Sequence, residues 1–284
     1  MIKANIGLRL HDSKPGTLSE RSLSAASQGF RCVHLALSKV LGSGFMDPMV
    51  FTPGLAAHVR SSMNGLDIAV LGCYLNLCTP DESEYACTVE KYVAHLRLAP
   101  QISAGVVGTE TGNPNTAYRY DPEHSHTDEA LEMFIRRVEP VVKAAEKLGA
   151  LLAIEPVYTH IVSTPKRARR VLDAVASPNL RIIFDPVNLL HPDNLSRRDE
   201  VIAEAIELLG KEIDIIHIKD YILREDGKLD SVAAGTGEMD FSAILRFAAR
   251  VKPGIQMTLE NTVPENAENA RIFVDRAYNE QAQA

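Results

Sequence analysis

Residues 150–190 read ALLAIEPVYTHIVSTPKRARRVLDAVASPNLRIIFDPVNLL. Two apolar runs, Ala150–Glu155 and Arg181–Asp185, each end in a carboxylate followed by proline. Both are near-continuous runs without polar alternation, the pattern of a parallel strand covered on both faces. Between them, Thr164 and Pro165 place a capping hydroxyl before a helix-initiating ring. The unit is strand, helix, strand.

The same unit recurs in both directions. Apolar runs stand at Lys3–Leu10, Arg31–Leu37, Asp67–Leu77, Ser103–Thr109, Asp214–Ile218 and Ile255–Glu260. Helical periodicity is clearest over Thr127–Leu148, where Leu131, Phe134, Ile135, Val138, Val141, Val142, Ala145 and Leu148 recur at intervals of three and four before Gly149. Further helices are expected over Leu18–Ser27, Pro53–Asn64, Ser83–Leu98, Ser196–Leu209 and Ala267–Tyr278, with Asp240 and Phe241 opening another. Eight consecutive strand–helix units in 284 residues, without a linker or composition break, predict one (β/α)8 barrel domain over residues 1–284. An open dinucleotide-binding sheet would need a Gly-rich turn, and Gly7 and Gly16 do not form one.

Composition narrows the function. The chain has 30 Lys+Arg against 37 Asp+Glu, a formal charge of -7, which argues against a phosphate-backbone binder. No apolar stretch has membrane-span length, and Lys3 and Arg9 interrupt the region a signal peptide would need, so cytoplasmic residence is expected. Cys32, Cys73, Cys78 and Cys87 form no CxxC pair and read as reduced, mostly buried thiols.

Active sites of such barrels lie at the C-terminal strand ends. There the fifth strand ends in Glu155, the sixth in Asp185 and the eighth in Glu260, while the seventh carries His217. Charges placed after apolar runs are costly unless paired or metal-bound. Each acid alone could cap a helix or pair with a surface cation; together the four suit a divalent ion, Mn2+ or Mg2+ first, with Zn2+ and Co2+ compatible with the imidazole.

With these residues the chain resembles the xylose isomerase-like barrels, which include sugar and sugar-phosphate 3-epimerases, hydroxypyruvate isomerase and inosose dehydratase. The resemblance rests on Glu155 in AIEP, Asp185 in IFDPVNLL, His217 in HIKD, Glu260 in LEN, and the loop Gly235-Thr236-Gly237-Glu238-Met239-Asp240-Phe241, and covers most of the chain. It implies metal ligation by Glu155, Asp185, His217 and Glu260. It also implies that Glu155 and Glu260 act as base and acid on a carbon next to a metal-polarised carbonyl, through an enediolate.

Other polar residues near these ends are candidate substrate contacts: Glu110 after the fourth strand, His160 in the VYTHIVST loop, Asn188 three residues past Asp185, and Lys219, which could meet a phosphate or orient Asp185 by charge. Tyr74 and Asn76 are candidates for lining the pocket, and His11 for bonding a sugar. His34 reads as a satisfied core histidine, and His58 and His95 as solvent-facing helical residues. His124 and His126 read as a solvated turn. Apurinic endonucleases share this barrel, but Asn188 stands where their extra histidine ligand would, and Tyr221–Gly237 contains no His.

The expectation is therefore a divalent-metal-dependent isomerase or epimerase of a small sugar or sugar phosphate. An inosose dehydratase-like lyase using the same metal, and a non-catalytic sugar-binding barrel, are the alternatives. A small-molecule carbohydrate is the expected partner, without nucleic acid or membrane, and homo-oligomerisation is compatible with the fold.

Overall fold

In the computed structural model, which describes residues 2–283, the eight apolar runs are the strands of a closed parallel barrel. They are β1 (Asn5–Arg9), β2 (Cys32–Leu35), β3 (Asp67–Gly72), β4 (Ala104–Glu110), β5 (Leu152–Glu155), β6 (Leu180–Phe184), β7 (Ile213–Ile218) and, after a hairpin formed by β8 (Asp220–Leu223) and β9 (Leu229–Val232), β10 (Gln256–Leu259). Neighbours follow chain order around the ring, and β10 closes on β1 with Leu8 opposite Leu259. The helices are α1 (Leu18–Ser27), α2 (Leu37–Val40), α3 (Pro53–Ser62), α4 (Glu82–Leu98), α5 (Asp128–Leu148), α6 (Pro165–Val175), α7 (Arg198–Leu209), α8 (Ser242–Arg250) and α9 (Ala267–Gln283).

Local chemistry sets most helix ends. Thr17 accepts from the Glu20 amide while the Glu20 carboxylate accepts from the Thr17 amide. Thr127 and Thr164 cap α5 and α6 through the amides of Ala130 and Arg167, each at 3.2 Å. Gly149 ends α5 in the left-handed region. Asp240 acts one residue early: its carboxylate accepts from the Ser242 amide at 2.9 Å, and the helix begins at Ser242.

Two apolar cores result. The larger lies between strands and helices and includes Phe134, Val138, Phe184, Tyr92 and Tyr278. The smaller plugs the barrel interior with Cys32, Val70, Val106, Ala153, Ile183 and Ile215. Cys32, Cys73 and Cys78 are buried, Cys87 is exposed, and all four are free thiols. Among the described residues, no helix is long and apolar enough to cross a membrane.

The structure departs from the sequence reading in several places, three of them outside the candidate site. The third strand stops at Gly72 instead of reaching Leu77, because the Asn76 side chain takes over the backbone partners. Its amide donates to Asn113 O and Asn115 O and its oxygen accepts from the Cys78 and Asn113 amides. Asn76 is thus a bracket between two loops. His95 does not face solvent: it is fully buried against Phe51, with Nδ1 at 2.7 Å from Lys91 O. The segment after β7 folds back as the β8–β9 hairpin, which the sequence reading left as a loop.

Candidate active site

Side chains alternate across a strand, so residues two apart share a face. Two positions beyond the apolar plug, toward the C-terminal strand ends, the inward set becomes polar: His34 after Cys32, Glu155 after Ala153, Asp185 after Ile183, His217 after Ile215 and, past it, Lys219. Thr258 and Glu260 continue the ring on β10. A cavity of about 360 Å³ opens above them, lined among others by Arg9, His34, Tyr74, Glu110, Glu155, Asn188, Lys219 and Glu260.

His217 is fully buried, with Nδ1 3.2 Å from Glu155 Oε2 and 3.2 Å from Glu260 Oε1. The angles are wrong for hydrogen bonds, and neither ring nitrogen has a hydrogen-bond partner among the described residues. Burial alone would lower its pKa, yet Glu260 and Glu155 push it up to about 9. Asp185 Oδ1 accepts the Val187 and Asn188 amides at 3.0 Å each, which fixes its plane. Its Oδ2 faces Lys219 Nζ at 2.7 Å, and Lys219 also reaches Glu260 Oε2 at 3.1 Å. Burial, only partly opposed by Lys219, raises Asp185 to about 6. Burial would also raise Glu260, but Lys219, His217 and Arg9 outweigh it and hold that carboxyl below the usual range. Asn188 Nδ2 donates to Glu155 Oε1 at 2.5 Å.

The donor set fits a divalent cation. Glu155, Asp185 and His217 each offer an atom within 4.8 Å of the other two, and His34, His217 and Glu260 form a second such group. An imidazole nitrogen facing two carboxylates off the hydrogen-bond axis is better matched by a cation between them than by a proton on one line. With the His217 imidazole neutral, as a metal ligand must be, three buried carboxylates against one buried ammonium leave negative charge that a divalent ion would offset.

Second-rank candidates divide. Glu110 lies in register with Glu155, lines the cavity and accepts from Tyr118 OH at 3.1 Å; burial raises its pKa. His160 Nε2 lies 3.9 Å from Glu110 Oε2, and burial pushes its pKa down to about 4. Lys219 is bonded to carboxylates and is not a free cation at the mouth. His124 is exposed beside Asp121, and His126 Nε2 lies 2.7 Å from Tyr158 O, so neither joins the ring of polar strand-end side chains.

His34 departs from its reading as a satisfied core residue. It is buried, but both ring nitrogens lack hydrogen-bond partners among the described residues. It is stacked between Tyr74 and His217 at centroid distances of 5.5 and 5.4 Å. Gly72 makes room for it: a Cβ there would stand 2.6 Å from His34 Nε2. Arg9 was legible by the rule that found Glu155, being a charge that ends an apolar strand; Lys39, on the short α2, carries no such signal.

The loop after β9 is held by a buried carboxylate. Asp220 accepts from the amides of Tyr221, Gly235, Gly237 and Met239 at 2.8–3.1 Å. A Cβ on Gly237 would run into Asp220 Oδ1 and Tyr221 O, which explains the second glycine of the Gly235–Phe241 loop. This packing ties the loop to the residue that follows Lys219, just past the strand that carries His217.

Residues 24–276 match the family described as xylose isomerase-like TIM barrel. No curated protein matches the chain by sequence. Among solved structures, 3-keto-D-glucoside 4-epimerase YcjR from E. coli, in its apo form, is 15% identical with TM-score 0.73, covering 99% of this chain and 100% of that one. The IolI protein with a bound zinc atom is 16% identical with TM-score 0.73, covering 98% of each chain. A xylose isomerase-like TIM barrel protein from Mycobacterium smegmatis in complex with magnesium is 15% identical with TM-score 0.72, covering 99% and 98%. At these identities the likenesses establish the fold.

Proposed function

The chain belongs to the xylose isomerase-like TIM barrel family, and from that premise we propose that it is a divalent-metal-dependent isomerase or epimerase of a small sugar or sugar phosphate. The proposal treats residues 1–284 as one domain. One observation carries it: His217, whose ring nitrogens have no hydrogen-bond partner among the described residues, sits between Glu155 and Glu260 at 3.2 Å from each, with Asp185 alongside. Glu155, Asp185, His217 and Glu260 would hold the cation. When bound, such an ion polarises a carbonyl and lowers the cost of removing the neighbouring proton. Zinc or magnesium in related barrels makes these the first ions to try beside Mn2+.

The remaining work falls to the side chains. Glu155 and Glu260 approach His217 from β5 and the end of β10, so a substrate above the imidazole has a carboxylate on either side. One takes the proton from carbon and the other returns a proton to the opposite face, which inverts the centre. Asn188 holds Glu155 by one oxygen and leaves the other for chemistry. Lys219 keeps Glu260 ionised, as a base requires.

Glu110 favours a second reading, a lyase that expels a hydroxyl β to the carbonyl. Burial raises its pKa, which shifts the carboxyl toward the proton donor that a departing hydroxyl needs. The experiment for both is incubation of the metal-loaded protein with ketoses and ketose phosphates in D2O. Deuterium at the carbon beside the carbonyl with an inverted or isomerised product supports the first reading. Loss of water from the labelled product supports the second, and silence across the panel contradicts both.

A further inference from the structure

The cavity is electrically lopsided. Its acids, Glu110, Glu155 and Glu260, come from β4, β5 and the end of β10, whereas Arg9, His11 and Lys39 line the corner made by β1 and the start of α2. Arg9 is half-buried, and its recorded hydrogen bond uses Nε, which donates to Asp12 at 2.8 Å. Its Nη1 pairs more loosely with Glu260 Oε2 at 3.5 Å, and among the described residues neither terminal amino group makes a hydrogen bond. Among the described residues, Lys39 Nζ has neither an ion pair nor a hydrogen bond, yet its side chain lines the same cavity.

His11 reports the field at this corner. Its Nδ1 is buried without a partner, and its pKa is pushed down to about 4, first by burial and then by Lys39 and Arg9. Arg21 adds a third positive charge behind, with its guanidinium fixed on the carbonyls of Gly16, Leu10 and Ser13. Asp12 offsets Arg9 on the side away from its amino groups. Lys219 does not contribute, because Asp185 and Glu260 engage it. A guanidinium whose terminal amino groups make no hydrogen bond among the described residues, an ammonium without an ion pair there and an imidazole, all lining one wall, form a receptor for a planar or tetrahedral anion.

We propose that the substrate carries an anionic group, a carboxylate or a phosphate, at the end remote from the reacting carbon, and that Arg9 and Lys39 with His11 bind it. This rests on the reading of the cavity as the substrate site, and it makes Arg9 and Lys39 specificity-determining residues. A neutral sugar offers neither cation a counter-charge, whereas an anion pairs with both.

The test compares matched probes at constant ionic strength with the manganese-loaded protein: dihydroxyacetone as the neutral ketone, hydroxypyruvate as the carboxylate and dihydroxyacetone phosphate as the phosphate. Binding is followed by calorimetry and proton exchange by NMR in D2O, so affinity is read independently of turnover. At least one anionic probe is expected to bind about 10-fold or more tighter than the neutral one. Lys39→Gln, at an exposed residue outside the metal and acid/base set, erases most of that preference, and Lys39→Arg retains it. Arg9→Gln acts in the same direction and also changes the neutral probe, because Arg9 neighbours Glu260. The arm that binds identifies carboxylate or phosphate.

Equal or tighter binding of the neutral ketone, no binding by any probe, or a charge preference untouched by Lys39→Gln would each overturn the anion corner. If neutral ketones exchange deuterium while anions do not bind, the corner fails and the isomerase reading stands. If anions bind through Lys39 but nothing exchanges, the corner stands and the isomerase reading fails.

Discussion

Two layers of the same barrel interior differ by one pleat. In the lower layer Cys32, Val70, Val106, Ala153, Ile183 and Ile215 pack into one apolar cluster. Two residues further along the strands stand His34, Gly72, Gly108, Glu155, Asp185 and His217. The lower layer is complete, its stability coming from dispersion and excluded water. With Lys219 and Glu260 just beyond it, the upper layer is electrostatically incomplete, holding three buried carboxylates, one ammonium and imidazole nitrogens that lack hydrogen bonds among the described residues. One strand repeat therefore separates what holds the barrel from what the barrel is for.

The largest expected effect lies in the upper layer. Glu155→Gln or Glu260→Gln should lower turnover by roughly 10²–10⁴-fold, the usual contribution of a positioned acid or base. Circular dichroism should show the fold retained, since these side chains are not part of the apolar plug. Unchanged turnover in either variant would break the division between layers.

The lower layer should respond in the opposite sense. Ile183→Ala is expected to cost about 2–5 kcal/mol in urea unfolding through lost burial and a cavity, with turnover per folded molecule little changed. Between the layers, Gly72→Ala places a methyl group against His34 from the side. We expect a cost of about 1–3 kcal/mol from overpacking, together with displaced imidazole resonances for His34 and His217. A stability loss without those shifts would mean that the stacked rings do not move as a unit.

Acidification separates the layers more gently. Burial holds His160 near the mouth and His95 in the helical shell at about 4 in the folded state, against about 6.5 unfolded. Between those values the unfolded chain binds more protons than the folded one. Stability is therefore fully present above about pH 6.5 and falls as pH drops toward 4, by up to ~1.4 kcal/mol per pH unit for each group. His95→Leu should flatten this slope in denaturant midpoints taken from pH 7 to 4. The deficit of Ile183→Ala should be the same at every pH in the range, because no titrating group is touched.

Much of this was legible in the chain. The barrel follows from eight apolar runs because a strand buried on both faces has no reason to alternate. Glu155, Asp185, His217 and Glu260 stand out because each interrupts such a run. Arg9 obeys the same rule but sits in the first strand, where its charge reads first as evidence about the chain's start. His34 was obscured because it stands inside an apolar run, where an imidazole reads as packing; the irregularity in the pairing of β2 with β3 falls on Ala69 and leaves Cys32 and His34 on one face. Lys39 lies on a four-residue helix with no periodicity to detect, and His95 is buried by Phe51, which is remote in sequence. Contacts between distant segments decide such cases, and a local pattern does not contain them.

The central claim is that the polar layer is completed by one divalent cation. Titration of the intact chain with Mn2+, followed by electron paramagnetic resonance, tests it most directly. The account predicts one tightly bound ion per chain, weakened about 100-fold or more by Asp185→Asn and unaffected by Ile183→Val in the layer beneath. Absence of a stoichiometric ion, or equal affinity in Asp185→Asn, would contradict it.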